Sequence, residues 1–289
     1  MKLVNGFDLM EYAKKRKLLL PAFNTTNLEM TYAIARGLNE AGMPGYIQIS
    51  SSNLKLSNPK MIADIARDAV KNVEVPIALH LDHGKSFEDV KQCLDAGFTS
   101  IMVDASHLPY EENIAEVKKA AAYCHFYNVP VEAELGAIGG KEDDVVNEAE
   151  GKTDPDLVGD FVERTGCDLL AVSVGNVHGL CLNPKIDLEL LHKISDVSRV
   201  PIVFHGGSGI DFGIIRKAKK YNLIKINYGS DIRKEFIGTF GRAFSANHNE
   251  YDVIHLSLES VKNITKKVKE LVLAINEDEM ILECEYAEQ

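Results

Sequence analysis

The feature that most constrains this chain is a rhythm of eight short aliphatic, β-branched runs, most of them followed by an amphipathic stretch of helical period. The runs cover 18–24, 45–50, 76–83, 100–105, 129–135, 169–174, 201–205 and 223–228. The stretches at 28–41, 59–72, 86–96, 111–127, 155–166, 187–198 and 211–221 read as helices. Strands that alternate with helices in this way are parallel βαβ units. The punctuation agrees: Ser86 with Asp89 and the pair Asn58-Pro59 open helices, and Gly97 and Gly166 close them. Two further helices, at 231–246 and about 256–276, follow the eighth run, and the acidic end, 277–289, is predicted to fray.

Eight units match a closed (β/α)8 TIM barrel, which takes roughly 250 residues. The 289 residues then form one α/β domain, 1–289, with a C-terminal helical extension over about 247–289. An open, doubly wound sheet is the competing architecture, and the placement of polar residues argues against it. Asn24, Ser50, Asp82 with His83, Asp104, Glu134, His205 and Asn227 all stand at the C-terminal ends of runs, and His178 follows the sixth. In a barrel those ends meet at one mouth, where active sites of this architecture lie.

Charge narrows the partners. A net charge of −11 disfavours a nucleic-acid backbone. No stretch approaches the ~18 apolar residues of a membrane span. The five cysteines are scattered without a C-x-x-C pair and read as reduced thiols, so the expected location is cytoplasmic.

His83, His178 and His205 follow the third, sixth and seventh runs, so in a closed barrel their imidazoles can meet over the mouth. Three protein ligands with an open position is the pattern of a catalytic zinc site. Strict alternation would send Asp82 and His83 to opposite faces, so the strand must bend or end there, and Gly84 makes that inexpensive. His80, three residues inside, reads as structural or as a partner orienting a ligand. The seventh run enters His205-Gly206-Gly207-Ser208-Gly209 and the eighth enters Asn227-Tyr228-Gly229-Ser230-Asp231, each before a helix. Such turns offer backbone N–H groups and helix dipoles to a phosphate. The connection at about 136–152 is long, with three glycines and three successive acids within 136–144, and reads as a lid that carries a carboxylate.

The motifs LHLDHG (79–84), VEAELGAIGGKEDD (131–144), VGNVHG (174–179), FHGGSG (204–209) and KINYGSD (225–231) resemble those of the class II ketose-bisphosphate aldolases. The resemblance implies zinc-dependent, reversible cleavage of a ketose 1,6-bisphosphate into dihydroxyacetone phosphate and an aldehyde. It implies that His83, His178 and His205 ligate zinc, that Asp82 exchanges the C4 hydroxyl proton, and that Glu142 is the lid carboxylate. It assigns Gly179, Gly206, Gly207, Ser208, Asn227, Tyr228, Gly229 and Ser230 to phosphate and triose binding, and Asn24 and Ser50 to polar positions around the substrate. Asp104 and Glu134 match acids beside the metal, either supporting its ligands or offering an alternate metal position. A monovalent cation (Na+ or K+) near the phosphate and a homodimer or homotetramer paired through the C-terminal helices are further implications.

The chain departs from that pattern in three places. A tyrosine and lysine expected after His178-Gly179 are replaced by Leu180-Cys181-Leu182-Asn183. Residues 243–289 hold no arginine to grip the far phosphate, leaving Arg233, Lys234, Lys262 or Lys266 as substitutes. Gly229 stands where many members carry a side chain. Fructose 1,6-bisphosphate is the first substrate expected and tagatose 1,6-bisphosphate the second. The other readings are a different aldehyde half, a barrel that only binds a sugar phosphate, and a zinc hydrolase.

Overall fold

A computed structural model describes residues 2–142, 145–147, 151–179, 181 and 183–277. The chain starts with α1 (Gly6–Arg16) and then β1 (Leu20–Asn24), α2 (Leu28–Ala41), β2 (Gly45–Ser50), α3 (Pro59–Ala69), β3 (Ile77–Gly84) and α4 (Phe87–Asp95). It continues through β4 (Ser100–Val103), α5 (Tyr110–Phe126), β5 (Val131–Leu135), a hairpin of β6 (Gly140–Glu142) and β7 (Val145–Asn147), α6 (Pro155–Thr165) and β8 (Leu169–Val172). Last come α7 (Leu188–Val197), β9 (Ile202–Phe204), α8 (Phe212–Ala218), β10 (Leu223–Tyr228), α9 (Ser230–Ala246) and α10 (Val253–Ile275). Eight parallel strands close into a barrel in which β10 pairs back onto β1, with Leu20 opposite Lys225 and Phe23 opposite Tyr228. The open-sheet alternative is thereby excluded.

Closure sorts each strand by parity. Leu79, Leu81, Val131, Ala133 and Phe204 point outward into the apolar layer shared with the helices. Leu20, Ala22, Tyr46, Ala78, Met102, Leu169, Ala171 and Val203 point inward and form a separate apolar cluster at the foot of the barrel, packed with Leu9, Met10 and Ala13 of α1. That helix, absent from the sequence expectations, plugs the end remote from the strand C-termini. Its signal was legible: Asn5 accepts from the Phe7 N–H at its start, and Leu9, Met10 and Ala13 share one face.

Three strands end earlier than expected: β4, β8 and β9 stop at Val103, Val172 and Phe204, so Asp104, Val174 and His205 lie just beyond them. The long connection after β5 is not structureless, since it folds into the β6–β7 hairpin. Beyond the eighth barrel strand α9 and α10 follow, with α10 packed along α2, and the end expected to fray lies, from 278 on, outside the described residues. A Cβ on Gly37 of α2 would meet Val268 at 2.6 Å, so glycine permits that close approach.

Candidate metal centre and phosphate cradle

His83 reaches the mouth through the bend its neighbours demand. Ala78, His80 and Asp82 face inward, so His83 would face outward in a regular strand. Instead it adopts φ +48, in the left-handed region, where the β3–β4 register shifts between Leu81 and Gly84. The strained residue is a proposed ligand, and its carbonyl is held by the Ser51 hydroxyl at 2.6 Å.

The three histidines converge. The ring centroids of His83 and His205 lie 4.6 Å apart, and His178 stands 5.2 and 5.7 Å from them. One nitrogen from each lies within 4.8 Å of the others. His83 Nδ1 meets Asp104 Oδ2 at 2.7 Å, and His205 Nε2 meets Glu132 Oε1 at 2.8 Å. A carboxylate on the outer nitrogen fixes the proton there and leaves the inner nitrogen as an acceptor. The inner nitrogens, His83 Nε2 and His205 Nδ1, then face each other at 2.9 Å. Two lone pairs at that separation are bridged by a proton or a metal ion, and with a nitrogen of His178 within reach of both the donor set fits a divalent metal with imidazole preference. Burial holds the His205 imidazole below its ordinary pKa, against the pull of Glu132, so it is neutral, as a ligand must be.

Glu132 was missed by the sequence reading, as was its partner. Lys225 Nζ lies 2.9 Å from Glu132 Oε2 inside the barrel, with both side chains at most 1% exposed. Burial alone would raise the Glu132 carboxyl; the Lys225 ammonium and the His205 hydrogen bond hold it below the usual range instead. Parity was the available signal, since Glu132 and Lys225 stand two residues before Glu134 and Asn227 on the same inward faces. His80 contacts Ser100 Oγ at 2.8 Å and Lys225 Nζ at 3.4 Å, so the orienting role considered for it falls to Glu132.

Asp104 and Glu134 differ in state. Burial pushes the Asp104 carboxyl up, but His83 and Ser106 outweigh it and keep it ionised. Glu134 is pushed well above the carboxylate range, by burial first and by the Asp104 charge second. These two acids and His83 form a second group of metal-ligand geometry.

Asp82 is completely buried and held through both oxygens. Asn24 Nδ2 donates to Oδ2 at 2.7 Å, Gln48 Nε2 to the same atom at 3.2 Å, and Asn227 Nδ2 to Oδ1 at 3.1 Å. Three amide donors leave the carboxylate as an oriented acceptor beside the histidines. Ser50 lies opposite Asp82 in the β2–β3 register.

A cleft beside the histidines is lined by Asn24, His178, Gly179, Gly206, Ser208 and Asn227, with Gly229, Ser230 and Arg233 completing it. Ser208 Oγ and Asn227 Oδ1 are buried without a hydrogen-bond partner among the described residues, as expected of groups that await a ligand. Two expected members lie outside it. Gly207 uses its N–H on the Asn227 carbonyl at 2.9 Å. Tyr228 is turned outward by parity, stacked on Phe23 at 5.7 Å, and burial raises its hydroxyl pKa. Asn176, also missed, ties the ligand loops together by donating to the His205 carbonyl at 3.1 Å. The connection after β5 is anchored at its base, where the His178 N–H donates to Gly139 O at 2.9 Å. Glu142 closes strand β6, and its side chain lies outside the described residues.

Residues 4–279 match the family model described as fructose-bisphosphate aldolase class-II. The chain belongs to that family. It is 38% identical over 256 residues to a fructose-bisphosphate aldolase of Geobacillus stearothermophilus, covering 87% of this chain and 89% of that one. It is 39% identical over 237 residues to one from Staphylococcus aureus strain N315, covering 80% and 82%. Among solved structures, a putative fructose-1,6-biphosphate aldolase from Coccidioides immitis superposes with a TM-score of 0.86 at 29% identity, over 94% of this chain and 96% of that one. The YdjI aldolase from Escherichia coli K12 gives 0.82 at 28% identity, over 94% and 97%. The chain is thus a class II aldolase, a carbon–carbon lyase whose family acts on sugar phosphates. No described helix is long and apolar enough to cross a membrane.

Proposed function

We propose that this aldolase is zinc-dependent and reversibly cleaves fructose 1,6-bisphosphate into dihydroxyacetone phosphate and glyceraldehyde 3-phosphate, with tagatose 1,6-bisphosphate the second candidate. The observation that carries the reading is the facing pair of imidazole nitrogens, His83 Nε2 and His205 Nδ1, with His178 beside them and the Asp82 carboxylate at hand. His83, His178 and His205 would hold the zinc, which supplies a Lewis acid for charge developing on the ketose C2 oxygen. Asp104, Glu134 and His83 are the group suited to an alternate metal position.

In the cleavage direction Asp82 accepts the C4 hydroxyl proton, the C3–C4 bond breaks, and its electron pair passes to C3 and the adjoining carbonyl. Glu142 then returns a proton to C3 of the triose. Gly179, Gly206, Ser208, Gly229 and Ser230 seat the phosphate of that half, which fixes the orientation of the carbonyl. A monovalent cation, Na+ or K+, beside this phosphate belongs to the same proposal.

Arg233 joins the triose-phosphate cleft and not the aldehyde end of the substrate. Of the four substitutes considered, it is the one that lines the cleft, and a Cβ on Gly229 would collide with its guanidinium. Glycine at 229 leaves room for the Arg233 guanidinium in the cleft that seats the triose phosphate, where it would add a planar cation to the backbone N–H groups.

A homodimer or homotetramer is also part of the reading. Ile237 and Phe244 of α9, with Tyr251, Val253, Ile254 and Leu258 at the turn and start of α10, are 53–75% exposed. Apolar exposure on that scale supports pairing through these helices. The enzyme itself is tested by release of dihydroxyacetone phosphate from each sugar bisphosphate. EDTA should abolish release and zinc restore it; turnover that persists in zinc-free protein would refute the proposal.

A further inference from the structure

The end of the barrel remote from the histidines carries a second cavity, of about 380 Å³. It opens between the C-terminus of α1, the turn that follows α8 and the first residues of β10. Its rim holds Lys14, Lys17, Arg216, Lys219 and Lys220, and none of the described residues that line it is acidic, with Glu277 just outside it on Arg216. Its floor is apolar, formed by Ala13, Leu18, Leu223 and Ile224. In a chain of net charge −11, Lys14, Lys17 and Lys220 gathered at one concavity are a local departure from the sign of the molecule.

The ordinary explanation is that cations offset the negative ends of helices. Two observations limit it. The α1 carbonyls are already satisfied, with the Lys17 N–H on Lys14 O at 3.3 Å and the Leu18 N–H on Ala13 O at 3.0 Å, and the Lys219 N–H caps α8 at Ile215 O. Moreover α2, α4, α7, α9 and α10 end with no basic residue in the last turn and α3, α5 and α6 with one each, against three in α1 and two in α8. The concentration of cations belongs to this cavity, not to helix ends in general.

The rim is also partly preorganised. Arg216 Nη1 donates to Ala274 O at 2.9 Å and pairs with Glu277 at 3.2 Å, which ties it to the end of α10. Lys17 sits at φ +54, the left-handed position after a helix where glycine is the relaxed choice, yet a long cationic side chain is kept there.

We propose that this cavity is a binding site for a small molecule bearing a diphosphate and a flat apolar ring, the chemistry of a nucleoside diphosphate. The phosphoryl groups sit on Lys14, Lys17 and Lys220 of the rim, and the ring lies over Leu18 and Ile224. The volume falls in the range of small-molecule sites, roughly 300–1,000 Å³. The site shares no residue with the mouth, so it stands whatever sugar the aldolase cleaves.

The test is calorimetric titration of the full chain with ADP, with inorganic pyrophosphate and with orthophosphate at low ionic strength. ADP is expected to bind tightest and orthophosphate weakest, with affinity falling steeply as salt is added. The triple variant Lys14→Glu, Lys17→Glu and Lys220→Glu changes exposed side chains only and should lose about tenfold or more in ADP affinity, from reversed charge. Lys17→Gly, which relaxes its backbone position, should weaken ADP binding about two- to threefold. Unchanged ADP affinity in these variants would overturn the site, as would a wild-type chain that takes up neither ADP nor pyrophosphate. ADP binding no tighter than pyrophosphate would overturn the place of the ring on the apolar floor.

Discussion

Replacement of Lys225 by methionine isolates the buried ion pair behind the metal centre. Methionine keeps most of the lysine stem, so the change removes charge with little cavity. The Glu132 carboxylate, completely buried, then keeps His205 as its partner and loses the ammonium at 2.9 Å. Breaking a buried pair on one side costs about 3–5 kcal/mol, which for a domain of this size lowers Tm by roughly 6–15 °C. The double variant Lys225→Met with Glu132→Gln removes both charges and should regain about 2 kcal/mol of that loss, because no uncompensated charge remains. Thermal unfolding of the metal-free proteins measures both. Zinc titration against a chromophoric chelator separates the two roles: Glu132→Gln weakens zinc binding about 10–100-fold by loosening His205, while Lys225→Met leaves it closer to wild type. If Lys225→Met melts within 2 °C of wild type, or if the double variant is no more stable than the single one, the reasoning about this pair is wrong by about its full magnitude.

Other consequences are equally direct. Asp82→Asn should lower kcat about 10²–10⁴-fold with the circular dichroism melt retained, and an unchanged kcat would remove Asp82 from the proton transfer. Arg233→Ala should raise KM for a sugar bisphosphate about 10–100-fold, with partial rescue by lysine; equal KM values would remove Arg233 from phosphate binding. Burial pushes the thiols of Cys124 and Cys167 up to about 12. Their protonated folded form therefore adds stability that is intact below the unfolded thiol value near 9 and is lost as pH rises toward 12. Chemical unfolding at a series of pH values should show that alkaline decline, and Ellman's reagent at pH 8 should leave both thiols unmodified until the chain unfolds. Ile254→Lys with Leu258→Lys should shift light-scattering mass toward the monomer if α9 and α10 form the subunit contact.

Period and polarity were legible from the residues themselves. The eight aliphatic runs, the helices between them and the polar residues at the run ends follow from local periodicity, and they sufficed for the barrel and for the gathering of His83, His178 and His205. The family was legible as well, because the motif order survives in the linear chain. What the sequence could not display is which inward residues meet across a closed barrel. Glu132 and Lys225 lie 93 positions apart, yet closure makes them a buried pair that orients a histidine. Tyr228 shows the same effect in reverse, since one step of strand parity carries it out of the phosphate cradle and onto Phe23. His83 combines both: the sequence required a bend after Asp82, but only the tertiary structure put it at a left-handed residue locked to Ser51. The α1 plug is a local amphipathic helix whose meaning depends on the apolar foot it covers. The sequence by itself determined the elements and the chemistry available at the mouth; tertiary structure decided the partners, because parity and closure are global constraints that no single segment carries.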